Sequence, residues 1–172
     1  VLFLAMIMVV ACVSCGADGE NSENEVNSGN EVNAESEVNA ESEAEFEDVK
    51  SEGVMTYAEY MAAAMDTEVV IETYVQAKQS WWEDKATVYT QDEDGAYFLY
   101  NMACSAEDYE KLVPGTKIKV TGYKAEWSGE VEVVDATFEI LEGNYIAPVK
   151  DVTSLLGTDE LIKHQNEFVA FK

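Results

Sequence analysis

The chain of 172 residues has 35 Asp and Glu against 10 basic residues, all of them Lys, and a formal net charge of -25 at pH 7. This length allows one domain with a tail. Nucleic-acid phosphates are bound mainly by Lys and Arg, so the charge disfavours nucleic acid as a partner and leaves proteins, peptides, glycans and cations open.

The first thirteen residues form an uncharged apolar run. The run is shorter than the ~20 residues that a transmembrane helix needs, and it has the length of the apolar region of an export signal. The chain does not begin with Met and no charged segment precedes the run. We therefore expect an export signal whose first residues precede this sequence.

Two cysteines follow the apolar run in a pattern that resembles the lipobox of bacterial lipoproteins. Residues 9–12 read VVAC and residues 13–16 read VSCG. In that family the signal is cut before the cysteine, whose thiol is acylated. Cys12 has the more usual residue three positions before it and Cys15 has the more usual following residue, so either is a candidate, and an ordinary secretory signal is the alternative. The resemblance implies a lipoprotein anchored to the bacterial cell membrane and facing outward, because two or three acyl chains anchor stably.

Residues 16–52 contain thirteen acidic residues and one Lys, and the triplet Glu-Val-Asn recurs every six residues at 25–27, 31–33 and 37–39. Like charges this dense, with one small aliphatic residue per repeat, cannot bury enough surface to offset the entropy of ordering. We expect a disordered, self-repelling linker. A repeated motif that traps cations is the alternative.

The folded part is predicted to open with a helix over 57–65, because Thr56 and Glu59 have capping-box spacing. A long strand follows from Glu68. Alternation along it separates two faces, one with Val69, Ile71, Val75 and Ala77 and the other with Glu72, Tyr74 and Gln76.

A hairpin is predicted next, with strands over 86–91 and 96–103 joined by a turn at 92–95. Phe98, Tyr100 and Met102 share one parity of its second strand. The turn reads DEDG, which superficially suggests calcium, but the residues after Gly95 are not ligands of the kind that a calcium loop needs. We interpret it as a turn only.

A second helix is predicted to begin at Ser105, with Tyr109 and Leu112 on its inner side, and to stop at Pro114 and Gly115. Two strands with period-two alternation complete the set, joined by a tight turn at 127–129. The first covers 117–124, and the second carries its apolar residues at Val134, Ala136, Phe138 and Ile140.

The order strand, strand, strand, helix, strand, strand resembles the OB-fold, a mainly β, five-stranded, partly open barrel with a helix between strands 3 and 4. The resemblance covers 67–141. Residues 115–122 are similar to a fourth OB strand in which a glycine permits a bend, and the hairpin at 126–128 resembles that of acidic exported bacterial OB proteins. The domain boundaries predicted from these patterns are 1–15 for the signal, 16–52 for the linker, 53–145 for the barrel and 146–172 for a C-terminal helix and strand.

The C-terminal segment ends in a predicted strand at 168–171, preceded by a polar helix or turn that reaches His164. Helix followed by strand is also how the barrel domain opens. Two alternatives stay open: the beginning of a second OB-like unit, or a strand that pairs with the barrel edge.

The sequence offers little catalytic chemistry. His164 is the only histidine and has no neighbouring nucleophile or orienting group, and Cys104 is predicted to be a small buried hydrophobe. We therefore expect no enzyme activity, no metal and no cofactor.

Aromatic residues are the better indication of function. Those at strand ends or on the non-core parity are Trp81, Trp82, Tyr89, Tyr97, Tyr123 and Trp127. OB domains bind ligands across strands 2 and 3 and the adjacent loops, although each residue except Trp127 is more often explained by packing. The sequence predicts a binding module for a protein, peptide or glycan, with single-stranded nucleic acid as the alternative and an oligomeric state that stays open.

Overall fold

The computed structural model describes residues 48–172. Both lipobox cysteines, Cys12 and Cys15, the Glu-Val-Asn repeats and the linker up to residue 47 lie outside the described residues. Within the described range, no helix is long and apolar enough to cross a membrane.

The described chain contains two α-helices, seven strands and two short 3-10 helices. They are α1 Tyr57–Ala62, β1 Glu68–Lys78, β2 Lys85–Gln91, β3 Ala96–Ala103, α2 Ala106–Lys111, β4 Thr116–Trp127, β5 Glu130–Asn144, β6 Lys150–Asp151, β7 Val169–Ala170, and 3-10 helices at Thr153–Leu155 and Asp159–His164.

Five strands close into a barrel in the order β1-β2-β3-β5-β4. The first half of β1 pairs with β4 and its second half pairs with β2, so this long strand takes part in both sides of the closure. One parallel pairing, Leu99 with Val133, joins β3 to β5. With α2 between β3 and β4, this topology is the OB-fold, which confirms the predicted fold.

Side chains from all five strands fill the barrel, and the two helices cover it. Tyr60 of α1 is 1% exposed and Leu112, just after α2, is fully buried. Each fully buried aliphatic or aromatic side chain contributes roughly 1.5–3 kcal/mol relative to its exposed state. Cys104 belongs to this core, as predicted.

Helix α1 ends at Ala62 and not at the predicted residue 65. A buried lysine of β4, Lys124, donates hydrogen bonds from its Nζ to the carbonyl oxygens of Tyr60, Met61 and Ala63 at 3.0, 2.7 and 2.9 Å. These carbonyls are among those that a helix C-terminus leaves without partners. The lysine therefore satisfies the end of the helix and holds it against the barrel.

Two β-bulges change the faces predicted for β3 and β5. Asn101 has a φ of 49° and Asp135 a φ of 48°. In β3, Leu99 and Met102 both point into the core, whereas Tyr100 is exposed. The prediction that Phe98, Tyr100 and Met102 share one face is therefore wrong. In β5, Val133 is buried in place of the predicted Val134, which is half-buried, whereas Ala136 and Phe138 after the bulge pack in or against the core as predicted. Ile140, farther along the strand, is exposed. An extra residue shifts the alternation of a strand by one.

Gly122 of β4 lies opposite the bulge in β5. A Cβ atom there would lie 2.7 Å from Val133 Cγ1 and 2.9 Å from Ala136 Cβ. The pairing register of β4 and β5 shifts at this point. The sequence predicts that a glycine within 115–122 permits a bend of the fourth strand, and at Gly122 the close approach of Val133 and Ala136 leaves no room for a Cβ atom.

The inner face of β1 lies in the core as predicted, whereas its outer face is buried as well. Val69, Ile71 and Val75 point into the barrel. Glu72 and Tyr74, on the opposite face, are also buried. Residues 48–51, assigned to the linker from sequence, lie against this face, so the folded part includes at least this segment.

The C-terminal segment forms a small two-stranded parallel sheet in which β6 pairs with β7. The predicted last strand therefore pairs with residues 150–151, and the alternative in which it joins the barrel edge is wrong. The segment contacts the barrel through Gln165, whose side chain donates to Gly129 O at 3.0 Å and accepts from Val131 N–H at 3.2 Å.

Candidate functional site

The outer side of β2 and β3 is free of carboxylates in a strongly acidic chain. Neither Lys85–Gln91 nor Ala96–Ala103 contains an Asp or Glu, and Lys85 is the single charged residue of the two strands. A ligand on this side therefore meets aromatic rings, hydroxyls and amides.

Three aromatic side chains lie in a row on this side, and we call Tyr89, Phe98 and Tyr100 the aromatic face. Tyr89 and Phe98 are direct cross-strand partners. Their ring centroids are 5.1 Å apart, and those of Phe98 and Tyr100 are 6.2 Å apart. Tyr100 is 45% exposed. The row offers contiguous apolar surface of the kind on which planar or ring-shaped ligands stack.

Hydrogen bonds fix one end of the aromatic face. Gln79 Nε2 donates to the Tyr89 hydroxyl at 3.0 Å, and the Tyr109 hydroxyl of α2 donates to Gln79 O at 2.9 Å. Lys78 Nζ lies 3.7 Å from the centroid of the Tyr109 ring. Tyr89 is thus held in place before any ligand arrives, which lowers the entropic cost of binding.

The bulge of β3 brings a polar group to the same side. Two residues of β3, Tyr100 and Asn101, lie opposite the single residue Thr87 of β2. Both are exposed, which regular alternation would not allow for neighbours in a strand. The bulge therefore places an amide next to the last ring of the aromatic face.

Two exposed tryptophans carry the same local structure at the two loops that flank the ligand side of an OB-fold. Trp82 and Trp127 each precede a two-residue turn whose residues both have positive φ, 48° and 57° after Trp82 and 53° and 90° after Trp127. Such turns are the type I′ turns that suit tight hairpins. The indoles are 72% and 68% exposed.

Strand registers place these two tryptophans toward opposite ends of β3. Lys85, the pairing partner of Trp82, neighbours Ala103 at the end of β3. The turn after Trp127 leads into β5, which runs parallel to β3. Trp82 also shares the outer side of Lys85, because cross-strand partners point the same way.

The remaining predicted site residues lie elsewhere. Tyr97 is fully buried, and its hydroxyl donates to Asp92 Oδ2 at 3.0 Å, so it is a core residue. Trp81 is 36% exposed and donates from Nε1 to Cys104 O at 2.9 Å. Tyr123 is exposed on β4, where its hydroxyl contacts Glu68 Oε2 at 3.3 Å. Of the six aromatics, Tyr89 belongs to the aromatic face, and Trp82 and Trp127 lie in its flanking loops.

Sequence reasoning missed Phe98 and Tyr100, although one signal could have found them. The turn at 92–95 fixes Gln91 opposite Ala96, and counting outward makes Tyr89 the partner of Phe98. Partners share a face, so Tyr89 and Tyr97 cannot both point outward.

Carboxylates border the face on the neighbouring strand β5. Glu132 is 8% exposed, and burial together with the nearby Glu130 raises its pKa. Burial also raises the pKa of Glu130, although a hydrogen bond from Asn166 opposes this. The surface without carboxylates therefore covers β2 and β3 and does not extend to β5, where Glu130 and Glu132 lie.

The metal-binding and nucleophilic residue types within 48–172 were compared with the arrangements that metal sites and catalytic sites need. Within 48–172 there is no group of three or more His, Cys, Asp and Glu side chains placed to hold a metal ion. His164 Nδ1 lies 3.0 Å from Glu167 Oε2 and 3.1 Å from Lys150 Nζ, at the protein surface. Burial raises the pKa of the Cys104 thiol, which makes it a poor nucleophile.

Comparison with protein-family models and with curated proteins gave no match. Solved structures of similar fold include the S. pombe Stn1-Ten1 complex, 22% identical over 44% of this chain and 58% of that chain, with a TM-score of 0.36. The hypothetical protein ygiW from E. coli is 15% identical over 51% of this chain and 89% of its own, with a TM-score of 0.39. The p204 HINb domain is 13% identical over 51% and 47%, with a TM-score of 0.38. The similarity concerns the fold alone.

Proposed function

We propose that the protein is a non-enzymatic binding module, anchored on the outer side of a bacterial membrane through acylated Cys12 or Cys15. In this proposal the barrel holds a peptide, protein or glycan ligand on the aromatic face. OB domains in general bind oligonucleotides and oligosaccharides across strands 2 and 3. The observation that carries the proposal is the row formed by Tyr89, Phe98 and Tyr100 on two strands without carboxylates.

The charge distribution supports an uncharged ligand over a polyanion. The chain contains no Arg, and Lys85 is the one cation on the two strands, whereas phosphate tracking needs several basic groups. Acids elsewhere on the chain would repel an anionic polymer. Single-stranded nucleic acid is the alternative despite this charge, because nucleic-acid bases also stack on aromatic side chains.

The double variant Phe98→Ala/Tyr100→Ala tests the aromatic face. Stacking on one aromatic ring is worth roughly 1–3 kcal/mol, so we expect affinity to fall about tenfold or more. Depletion of the protein from solution by insoluble chitin, cellulose or peptidoglycan, and titration with proline-rich and mixed peptide libraries, would measure this. Tyr123→Ala is the matched control, because it removes an exposed aromatic from β4.

The control should bind like the unchanged protein. Equal binding by the double variant and the unchanged protein would exclude the aromatic face as the site. A dT oligonucleotide that binds with an affinity falling steeply with salt would establish the nucleic-acid alternative instead.

Anchoring is tested separately in a bacterial host with the full export signal. We expect the double variant Cys12→Ala/Cys15→Ala to incorporate no labelled fatty acid, because both candidate acylation sites are gone. Metabolic labelling with a radioactive fatty acid, followed by immunoprecipitation, would measure it, with Cys104→Ala as the control. Absence of label in the unchanged protein, or equal label in the double variant, would disprove lipid anchoring at these cysteines.

A further inference from the structure

The bulge in β3 holds Asn101 in a backbone conformation that its packing does not explain. Its φ of 49° lies in the left-handed region, which Asn tolerates and Gly prefers. The side chain is exposed and has no role in the barrel core. Glycine would therefore satisfy the backbone at this position, and the amide is available for another task.

Thr87 orients that amide. The Thr87 hydroxyl accepts a hydrogen bond from the Asn101 N–H at 3.2 Å and donates to Asn101 Oδ1 at 3.4 Å. The assignment of Oδ1 toward the hydroxyl leaves Nδ2 on the other side of the amide. Among the described residues, Nδ2 has no hydrogen-bond partner, so the exposed residue that follows Tyr100 in the bulge has two N–H donors available.

We propose that Asn101 is the specificity-determining residue of the aromatic face, and that the ligand is a neutral polysaccharide. One sugar ring stacks on Tyr100 or Phe98 while the Asn101 amide donates to a hydroxyl or ring oxygen of the same or the adjoining sugar. This inference rests on the proposed function and names its ligand class. Apolar rings that take most of the contact area, with a few fixed polar groups that set orientation, are the usual composition of ligand sites.

Two features favour a neutral polysaccharide over an anionic polymer or a strand-adding peptide. The carboxylates Glu130 and Glu132 on the neighbouring strand β5 disfavour anionic polymers. An extended peptide that adds a strand needs an open sheet edge, and the barrel is closed. The aromatic row with amide donors then suits a chain of uncharged rings.

The variant Asn101→Gly tests the proposal because it keeps the bulge and removes the amide. We expect its thermal stability to stay equal or to rise, since Gly adopts positive φ freely. The probe is whichever of chitin, cellulose and mixed-linkage glucan binds the unchanged protein. The affinity of Asn101→Gly for that polysaccharide should be about fivefold to twentyfold weaker, the loss typical of one or two hydrogen bonds. Asp135→Gly is the matched control, because Asp135 holds the equivalent left-handed position in the bulge of β5.

The outcomes separate this proposal from the proposed function. Loss of polysaccharide binding in Asn101→Gly, with full binding in Asp135→Gly, supports the role of the amide. A second outcome is that Phe98→Ala/Tyr100→Ala abolishes polysaccharide binding whereas Asn101→Gly binds like the unchanged protein. This result would overturn the specificity role of Asn101 and would still support the aromatic face as the binding site. Retention of a proline-rich peptide with no polysaccharide retained overturns the ligand class. Binding of none of these probes overturns both proposals.

Discussion

Glu132 lies at the border of the aromatic face, where its environment penalises its charge. It is 8% exposed, and burial, together with the nearby Glu130, raises its pKa above the ordinary value of 4.5. A carboxyl whose pKa is higher in the folded than in the unfolded chain binds its proton more tightly when folded. Its contribution to stability is therefore lost as the pH rises from about the ordinary value through the raised one.

The variant Glu132→Gln should consequently be more stable than the unchanged protein at pH 7, because the amide has no charge to desolvate. The difference should shrink as the pH falls and vanish below 4.5, where the carboxyl is protonated in both states. Thermal melts between pH 3.5 and pH 7 would measure this, with the exposed Glu139→Gln as control. A variant that is less stable at pH 7 would show that the carboxylate has a favourable partner.

At the scale of elements, local sequence patterns predicted almost every strand and one structural detail of β4. Strand β3 and the turn before it have the predicted bounds, because its aromatic residues and the turn residues indicate the same structure. The prediction that a glycine of 115–122 shapes the fourth strand fits Gly122, where β5 approaches too closely for a Cβ atom. Fold class followed from the order of these elements.

What the patterns could not show is where alternation breaks. A bulge needs a residue that accepts positive φ, and Asn101 and Asp135 are ordinary polar residues in their strands with no glycine to mark them. Each bulge put the residues on its two sides out of phase, so Met102 left the face of Phe98 and Tyr100, and Val133 replaced Val134 in the core. The faces of Tyr97, Phe98 and Tyr100 lie before the bulge and follow from the register at the turn, which was not counted.

At the scale of the whole molecule, one lysine of the N-terminal segment joins that segment to two parts of the barrel. Lys50 Nζ lies 2.6 Å from Asp48 Oδ2, 2.8 Å from Asp92 Oδ2 in the β2–β3 turn and 2.8 Å from Glu72 O in β1. The Asp92 side chain is fully buried. Sequence reasoning assigned this segment to the linker because its composition is that of the linker, and a single Lys among acids gives no sign of what it will contact.

The pKa directions agree with a buried ionic cluster. Burial opposes the charge of Lys50, but its contacts with Asp48 and Asp92 raise its pKa above 10.5. Burial likewise opposes the charge of Glu72, whereas hydrogen bonds from Ser51 and the nearby Lys117 lower its pKa below 4.5. The cluster therefore stabilises the fold fully between these two ordinary values, and it weakens above and below them.

Replacing Lys50 by Met should remove the cation and leave Asp92 buried without its counter-charge. Breaking a buried pair in this way costs about 3–5 kcal/mol, and we expect urea unfolding at pH 7 to show a loss of that order. Adding Asp92→Asn should recover part of the loss, since the uncompensated charge is then gone. Lys111→Met, which removes an exposed lysine of α2, should leave the unfolding midpoint unchanged. If Lys50→Met were as stable as the unchanged protein, the contacts of Lys50 with Asp92 and Glu72 would not contribute to stability, and residues 48–51 would not be part of the folded domain.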